Sequence, residues 1–139
     1  MTETADGRGE ARGTGEVRSA VEEYWAAADA GDWGAFGATL ADDVVYELPQ
    51  SRERILGRGR HVRFNQENPG ARHVRVERIV ADGEGRQAAV RTLVTMGQEE
   101  AHAIHFFTFD ADGRISKVTG FWPEPYEPPV ARESLIERY

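Results

Sequence analysis

The sequence predicts an α+β domain in which helices from the N-terminal half pack on one face of a bent β-sheet. Three observations carry that prediction. Up to about residue 66 apolar residues recur mainly at helical spacing, with one short alternating stretch, and from about residue 72 onward they recur at strand spacing. The strand candidates of the second half are joined by short Gly- and Asp-containing turns, so neighbours pair antiparallel as a meander. At 139 residues and 40% hydrophobic composition the chain is one domain with room for a core.

Val17, Val21, Tyr24 and Ala28 stand at i, i+4, i+7 and i+11, one stripe of an amphipathic helix that Trp25 widens and Gly31 ends. The preceding "MTETADGRGEARGTGE" has no apolar stretch of the kind a secretory signal needs. Its glycine and charge mark residues 1–16 as an unstructured lead to a domain over 17–139. Asp32 caps a second, short helix with Trp33, Phe36 and Leu40 on one face. "DVVYELP" alternates and closes on Pro49, giving a first strand over Val44–Leu48 with Val44, Tyr46 and Leu48 on the inner side and Glu47 outward. After the polar "QSRER", a third helix is expected over Arg58–Gln66, ended by Asn68-Pro69-Gly70.

Four further strands follow: "RHVRVERIVA", "RQAAVRTLVTM", "AHAIHFFTF" and "RISKVTGFW". In the third of these, Ala103, His105, Phe107 and Phe109 share one side, and His102, Ile104, Phe106 and Thr108 the other. Both sides carry large apolar groups. The helices cover one of them, so a second copy of the chain is the expected cover for the other. In the last strand Val118, Gly120 and Trp122 face inward, and Ile115 and Phe121 outward. Trp122 then lines a pocket, and Pro123 ends the strand at its rim.

The net charge of −7 argues against nucleic acid as a partner, and no apolar run is long enough to span a membrane. From Arg52 to Arg78, however, eight arginines face Glu53, Glu67 and Glu77, a local excess of +5. Such a run is either a solvated face balanced by acidic neighbours or a site for an anionic ligand. Cysteine is absent, which removes disulfides, thiolate metal sites and cysteine nucleophiles and points to the cytoplasm. Lys117 is the single lysine, no serine sits in a G-x-S-x-G elbow, and "GRGR" lacks the spacing of a phosphate loop. His102 and His105 have opposite strand parity, so no metal site and no cofactor are expected.

The strings "YWAAADAGDWGAF", "LADDVVYELP", "GRGRHVRFN" and "FFTFDADGRISKVTGFWPE" resemble the nuclear-transport-factor-2-like superfamily, which includes ketosteroid isomerase and the SnoaL-like polyketide cyclases. The resemblance covers about Val17 to Glu124. It implies a cone-shaped mixed sheet wrapped around the helices, open at one end into an apolar pocket, and often a homodimer joined through the outer sheet face. Tyr24 matches the isomerase's oxyanion-hole tyrosine. Leu48 stands where that enzyme has its general-base aspartate, and leucine cannot take a proton. His105 stands where the isomerase keeps a protonated carboxyl group as a hydrogen-bond donor. The cyclases rely on an acidic residue late in the chain, and "RISKVTGFW" has none. The resemblance therefore implies Tyr24 and His105 as catalytic candidates. Tyr46, Leu48, Arg52, Glu53, Phe64, Asn65, Phe107 and Trp122 are expected around a small apolar or aromatic ligand. His105, Glu53 and Glu124 are the remaining acid–base candidates. The activity implied is of the cyclase or isomerase type; the alternative is a non-catalytic ligand-binding or dimerisation module.

Overall fold

The computed structural model describes residues 2–67 and 72–139, with side chains from residue 13 onward; the turn expected at Asn68-Pro69-Gly70 lies outside them. Helix α1 runs over Thr2–Ala30, α2 over Trp33–Ala38 and α3 over Arg58–Gln66. The strands are β1 (Leu40–Leu48), β2 (Glu53–Leu56), β3 (Arg72–Asp82), β4 (Gln87–Met96), β5 (Glu99–Phe109) and β6 (Ile115–Phe121). The six form one curved, unclosed sheet in the order β2-β1-β6-β5-β4-β3, antiparallel except where β1 runs parallel to β6.

The α1–α2 corner follows its residues. Gly31 takes a positive φ of 70°, which a glycine adopts without strain. Asp32 Oδ1 then accepts the Ala35 N–H at 3.1 Å, satisfying one free donor of α2. α1 begins upstream of Val17, and Thr14 Oγ1 accepts the Gly83 N–H of the β3–β4 hairpin at 3.1 Å. Helical backbone therefore occupies segment 2–16, where composition offers no apolar stripe to announce it.

Val17, Val21, Tyr24, Trp25 and Ala28 are all buried against the inner face of the sheet. That face is built as the alternation predicts: Ala103, His105, Phe107 and Phe109 are buried, and His102, Ile104, Phe106 and Thr108 are exposed. Ile115 differs from expectation. It is fully buried in the core instead of facing outward with Phe121. The cause is a bulge: Thr108 pairs with Lys117 but Phe109 pairs with Ile115, so Ser116 is the extra residue and parity reverses. A second bulge between Val76 and Arg78 bends β3 in the same sheet. β2 was also not expected. "ERIL" is a charged edge strand that closes a tight hairpin on β1, pairing Leu48 with Glu53. No described helix is long and apolar enough to cross a membrane.

Candidate active site

The open end of the sheet encloses a cavity of about 500 Å³, within the range of small-molecule sites. Tyr46 of β1, His105 of β5 and Gly120 of β6 form its floor. Trp25 of α1, Leu48 at the end of β1 and Trp122 just past β6 supply apolar wall. Phe64 and Asn65 enter from α3, where His61 and Asn65 are buried on the helix's inner side at i, i+4 spacing. Val74, Val94 and Met96 close the side formed by β3 and β4.

Two buried hydroxyl–imidazole pairs sit beneath and beside this cavity. Tyr46 Oη lies 3.1 Å from His105 Nε2. Tyr24 Oη lies 2.9 Å from His61 Nε2. The pairs are packed together, with the Tyr46 and His61 ring centroids 4.8 Å apart. Burial lowers the His105 pKa to about 3, with the charges of His61 and Arg72 acting the same way. Burial alone lowers His61 to about 4. Both imidazoles are neutral at physiological pH. Burial raises Tyr46 to about 12, opposed in lesser part by Trp122 and Arg72, and pushes Tyr24 well above its ordinary value. Both phenols keep their protons.

The rim is polar. Ser51 Oγ donates to Glu53 Oε1 at 2.6 Å, and Gln50 Oε1 accepts the backbone N–H of Trp122, tying the β1–β2 turn to the end of β6. Glu53 and Glu124 are the carboxylates lining the cavity among the described residues. Glu47 points outward, as its parity predicts, and is paired with Arg54 and Lys117 on the outer face.

Seven of the residues expected here do surround the cavity: Tyr46, Leu48, Glu53, Phe64, Asn65, His105 and Trp122. Three do not. Tyr24 lies behind the wall, 1% exposed, with its hydroxyl held by His61 and its ring against Phe36 and Phe107. Phe107 is core beside it. Arg52 is exposed in the β1–β2 turn at a φ of 62°. Residues missed from sequence include Arg72, Val74 and His61. Arg72 and Val74 share strand parity, a signal that was present in "RHVRV". His61 had none, since a polar residue on a short basic helix looks solvated.

A family model described as a SnoaL-like domain matches residues 21–118. The chain belongs to the SnoaL-like family. Among curated proteins, this SnoaL-like chain is 32% identical over 111 residues to the steroid Δ-isomerase of Nocardioides simplex, covering 77% of this chain and 89% of that one. It is 45% identical, with a TM-score of 0.86, to a crystal structure from Kribbella flavida described as a candidate ketosteroid isomerase; 91% of each chain is covered. A candidate polyketide cyclase from Xanthomonas campestris is 25% identical with a TM-score of 0.70, over 80% of this chain and 93% of that one. The family and these neighbours point to enzyme function of the isomerase or cyclase type, and the sheet and helices are those of the superfamily's cone fold.

Proposed function

We propose that this chain is a small-molecule isomerase or cyclase acting on an apolar carbonyl compound. In this reading Tyr46 donates a hydrogen bond to the substrate oxygen as it gains negative charge. The observation that carries it is the Tyr46–His105 pair on the floor of a cavity with largely apolar walls. Among the described residues, buried His105 Nδ1 has no partner. A bare ring nitrogen there costs less than an orphaned N–H, which favours the tautomer with its proton on Nε2. That proton is donated to Tyr46 Oη, leaving the Tyr46 hydroxyl proton free to aim into the cavity. Neutral His105 and protonated Tyr46 form a donor chain that does not titrate near neutral pH, which suits oxyanion stabilisation. Tyr46 thus takes the role that the family resemblance assigns to Tyr24.

The proton to be moved sits on the carbon beside the carbonyl. Leu48 cannot take it, so Glu53 or Glu124 at the rim is the proposed base. Electron density then flows to the oxygen held by Tyr46, and reprotonation at another carbon completes an isomerisation. The second reading, a non-catalytic ligand-binding module, is favoured by Leu48 itself. Self-association through the outer face of the sheet belongs to both readings.

An enolate-shaped phenol, 2-naphthol, tests the site. Its binding should change tryptophan fluorescence, and Trp122→Phe should remove most of that response. Tyr46→Phe should weaken binding several-fold, up to about tenfold, the worth of one buried hydrogen bond between neutral groups. Equal affinity in wild type and Tyr46→Phe would remove Tyr46 from the oxygen site.

A further inference from the structure

Among the described residues Arg72 is the cation lining the cavity, and nothing in the oxyanion reading uses it as a ligand contact. It stands at the first position of edge strand β3, is partly buried, and faces the same space as Tyr46 and Trp122. Its Nη2 donates to Asn65 Oδ1 at 3.0 Å. Asn65 is itself buried, and its Nδ2 donates to the His61 carbonyl at 3.0 Å. Those two bonds fix both ends of the Asn65 amide, so the guanidinium is held in place by the frame of α3.

The other arginines of the basic run behave differently. Arg54 is paired with Glu47, Arg58 with Asp42, Arg63 with Glu67 and Arg75 with Glu77. Arg52, Arg60 and Arg78 are exposed to solvent. Among the described residues Arg72 has no carboxylate within ion-pair distance, although it is only partly exposed to solvent. Glu53 and Glu124 line the same cavity, but neither forms an ion pair with Arg72 among the described residues. Tyr24 and Tyr46 stay uncharged. A partly buried guanidinium with a single hydrogen bond among the described residues is costly unless an anion meets it, and its planar fork matches a carboxylate.

We infer that the ligand of this cavity is an apolar monocarboxylic acid whose carboxylate is bound by Arg72. This rests on the cavity being the binding site, and it names the substrate class for the reaction proposed above. The charge pattern selects a monoanion: one cation lies inside, while Glu53 and Glu124 at the rim repel a dianion such as a phosphate ester. Trp25, Phe64, Val94, Met96 and Trp122 would surround the apolar body. A cavity of about 500 Å³ takes a scaffold of two or three fused rings.

A matched pair of probes decides it without knowing the natural ligand. The full-length protein is titrated with 2-naphthoate and with its uncharged isostere 2-naphthamide, followed by tryptophan fluorescence and by calorimetry. The acid should bind about tenfold or more tighter than the amide, as a charge-assisted hydrogen bond requires. Arg72→Gln should abolish that preference while leaving amide binding in place, and Arg72→Lys, which keeps the charge but loses the fork, should retain part of it. Retained amide binding shows that each variant is folded. Equal affinity for acid and amide in wild type, binding of neither up to millimolar concentration, or an undiminished preference in Arg72→Gln would each overturn the inference. The oxyanion reading fails separately: if Tyr46→Phe leaves 2-naphthol affinity unchanged but the carboxylate preference persists, Tyr46 is lost and Arg72 stands.

Discussion

Tyr46 and His105 meet across a strand that separates them. They belong to β1 and β5, and β6 runs between, with Val118 opposite Tyr46 and Gly120 opposite His105. The two side chains reach each other only because residue 120 has none. A Cβ there would stand 2.8 Å from Tyr46 Oη and 3.0 Å from His105 Nε2. Gly120→Ala should therefore wedge the pair apart. The expected cost is about 1–3 kcal/mol of stability in denaturant melts, together with weaker binding of 2-naphthol. An alanine variant as stable and as tight-binding as wild type would show that the floor yields without consequence.

Tyr24 separates a structural from a chemical role. Its hydroxyl is the partner of buried His61, whose other ring nitrogen already has no partner. Tyr24→Phe should destabilise the fold by about 1–3 kcal/mol, the cost of stranding a buried polar atom. Its effect on 2-naphthol affinity should be much smaller than that of Tyr46→Phe. The reverse ranking would restore Tyr24 to the oxygen site, as the family resemblance implies.

The buried histidines set an acid limit on stability. Their folded pKa values of about 4 and about 3 lie below the unfolded value of 6.5. As pH falls below 6.5 the unfolded chain takes up protons that the native state refuses, so stability declines until the native histidines are themselves protonated. At pH 5 the loss approaches ~2 kcal/mol per histidine. Urea melts at pH 7 and pH 5 measure it. The Glu47 pairs with Lys117 and Arg54 act only below the ordinary carboxylate range, so they do not contribute to this window. A flat profile from pH 7 to 5 would mean that neither histidine is buried neutral, and a loss of only about 2 kcal/mol that just one of them is.

Much of this architecture was legible because alternation and turn chemistry agree. β3 to β6 and α3 fall within two residues of their expected limits, and the inward set Ala103, His105, Phe107 and Phe109 follows from strand parity alone. What escaped was what alternation cannot carry. The Ser116 bulge inverts Ile115, and nothing in "RISKV" marks it. β2 is short, charged and at an edge, so its sequence reads as a loop. Within the site, Trp122 and His105 were visible from parity, but the pairing of Tyr46 with His105 depends on a three-strand arrangement that only the folded sheet defines. Arg72 shares the parity of Val74 in "RHVRV", but nothing in the sequence singles it out from the other arginines of its run.

The outer face predicts self-association. Phe106 is 50% exposed and Ile104 38%, and Phe106 packs edge-on against Phe121 at 6.0 Å between centroids. These form a contiguous apolar patch on the side that the helices leave uncovered. Light scattering should give twice the 15.5 kDa chain mass, and Phe106→Glu should shift the protein to monomer. A monomeric wild type at micromolar concentration would exclude a dimer through this face.

The last prediction turns on Leu48. It ends β1 on the same face as Tyr46, lines the cavity, and is 8% exposed. By resemblance it occupies the position from which ketosteroid isomerase removes a proton, and it is aliphatic. Isomerising a Δ5-3-ketosteroid needs a base over the carbon acid as well as a donor at the oxygen. Loss of a positioned base costs roughly 10²–10⁴ in rate. The wild type should show negligible conversion when the conjugated enone is followed by ultraviolet absorbance. Leu48→Asp should gain measurable turnover, because position 48 lines the cavity and Tyr46 is already in place. Val45→Asp is the control: Val45 faces the other side of β1, where it pairs with Leu56. If Leu48→Asp stays folded and gains nothing, position 48 is not over the substrate. Robust turnover by the unmodified chain would instead assign the base to another carboxylate, with Glu53 and Glu124 the first to replace by glutamine.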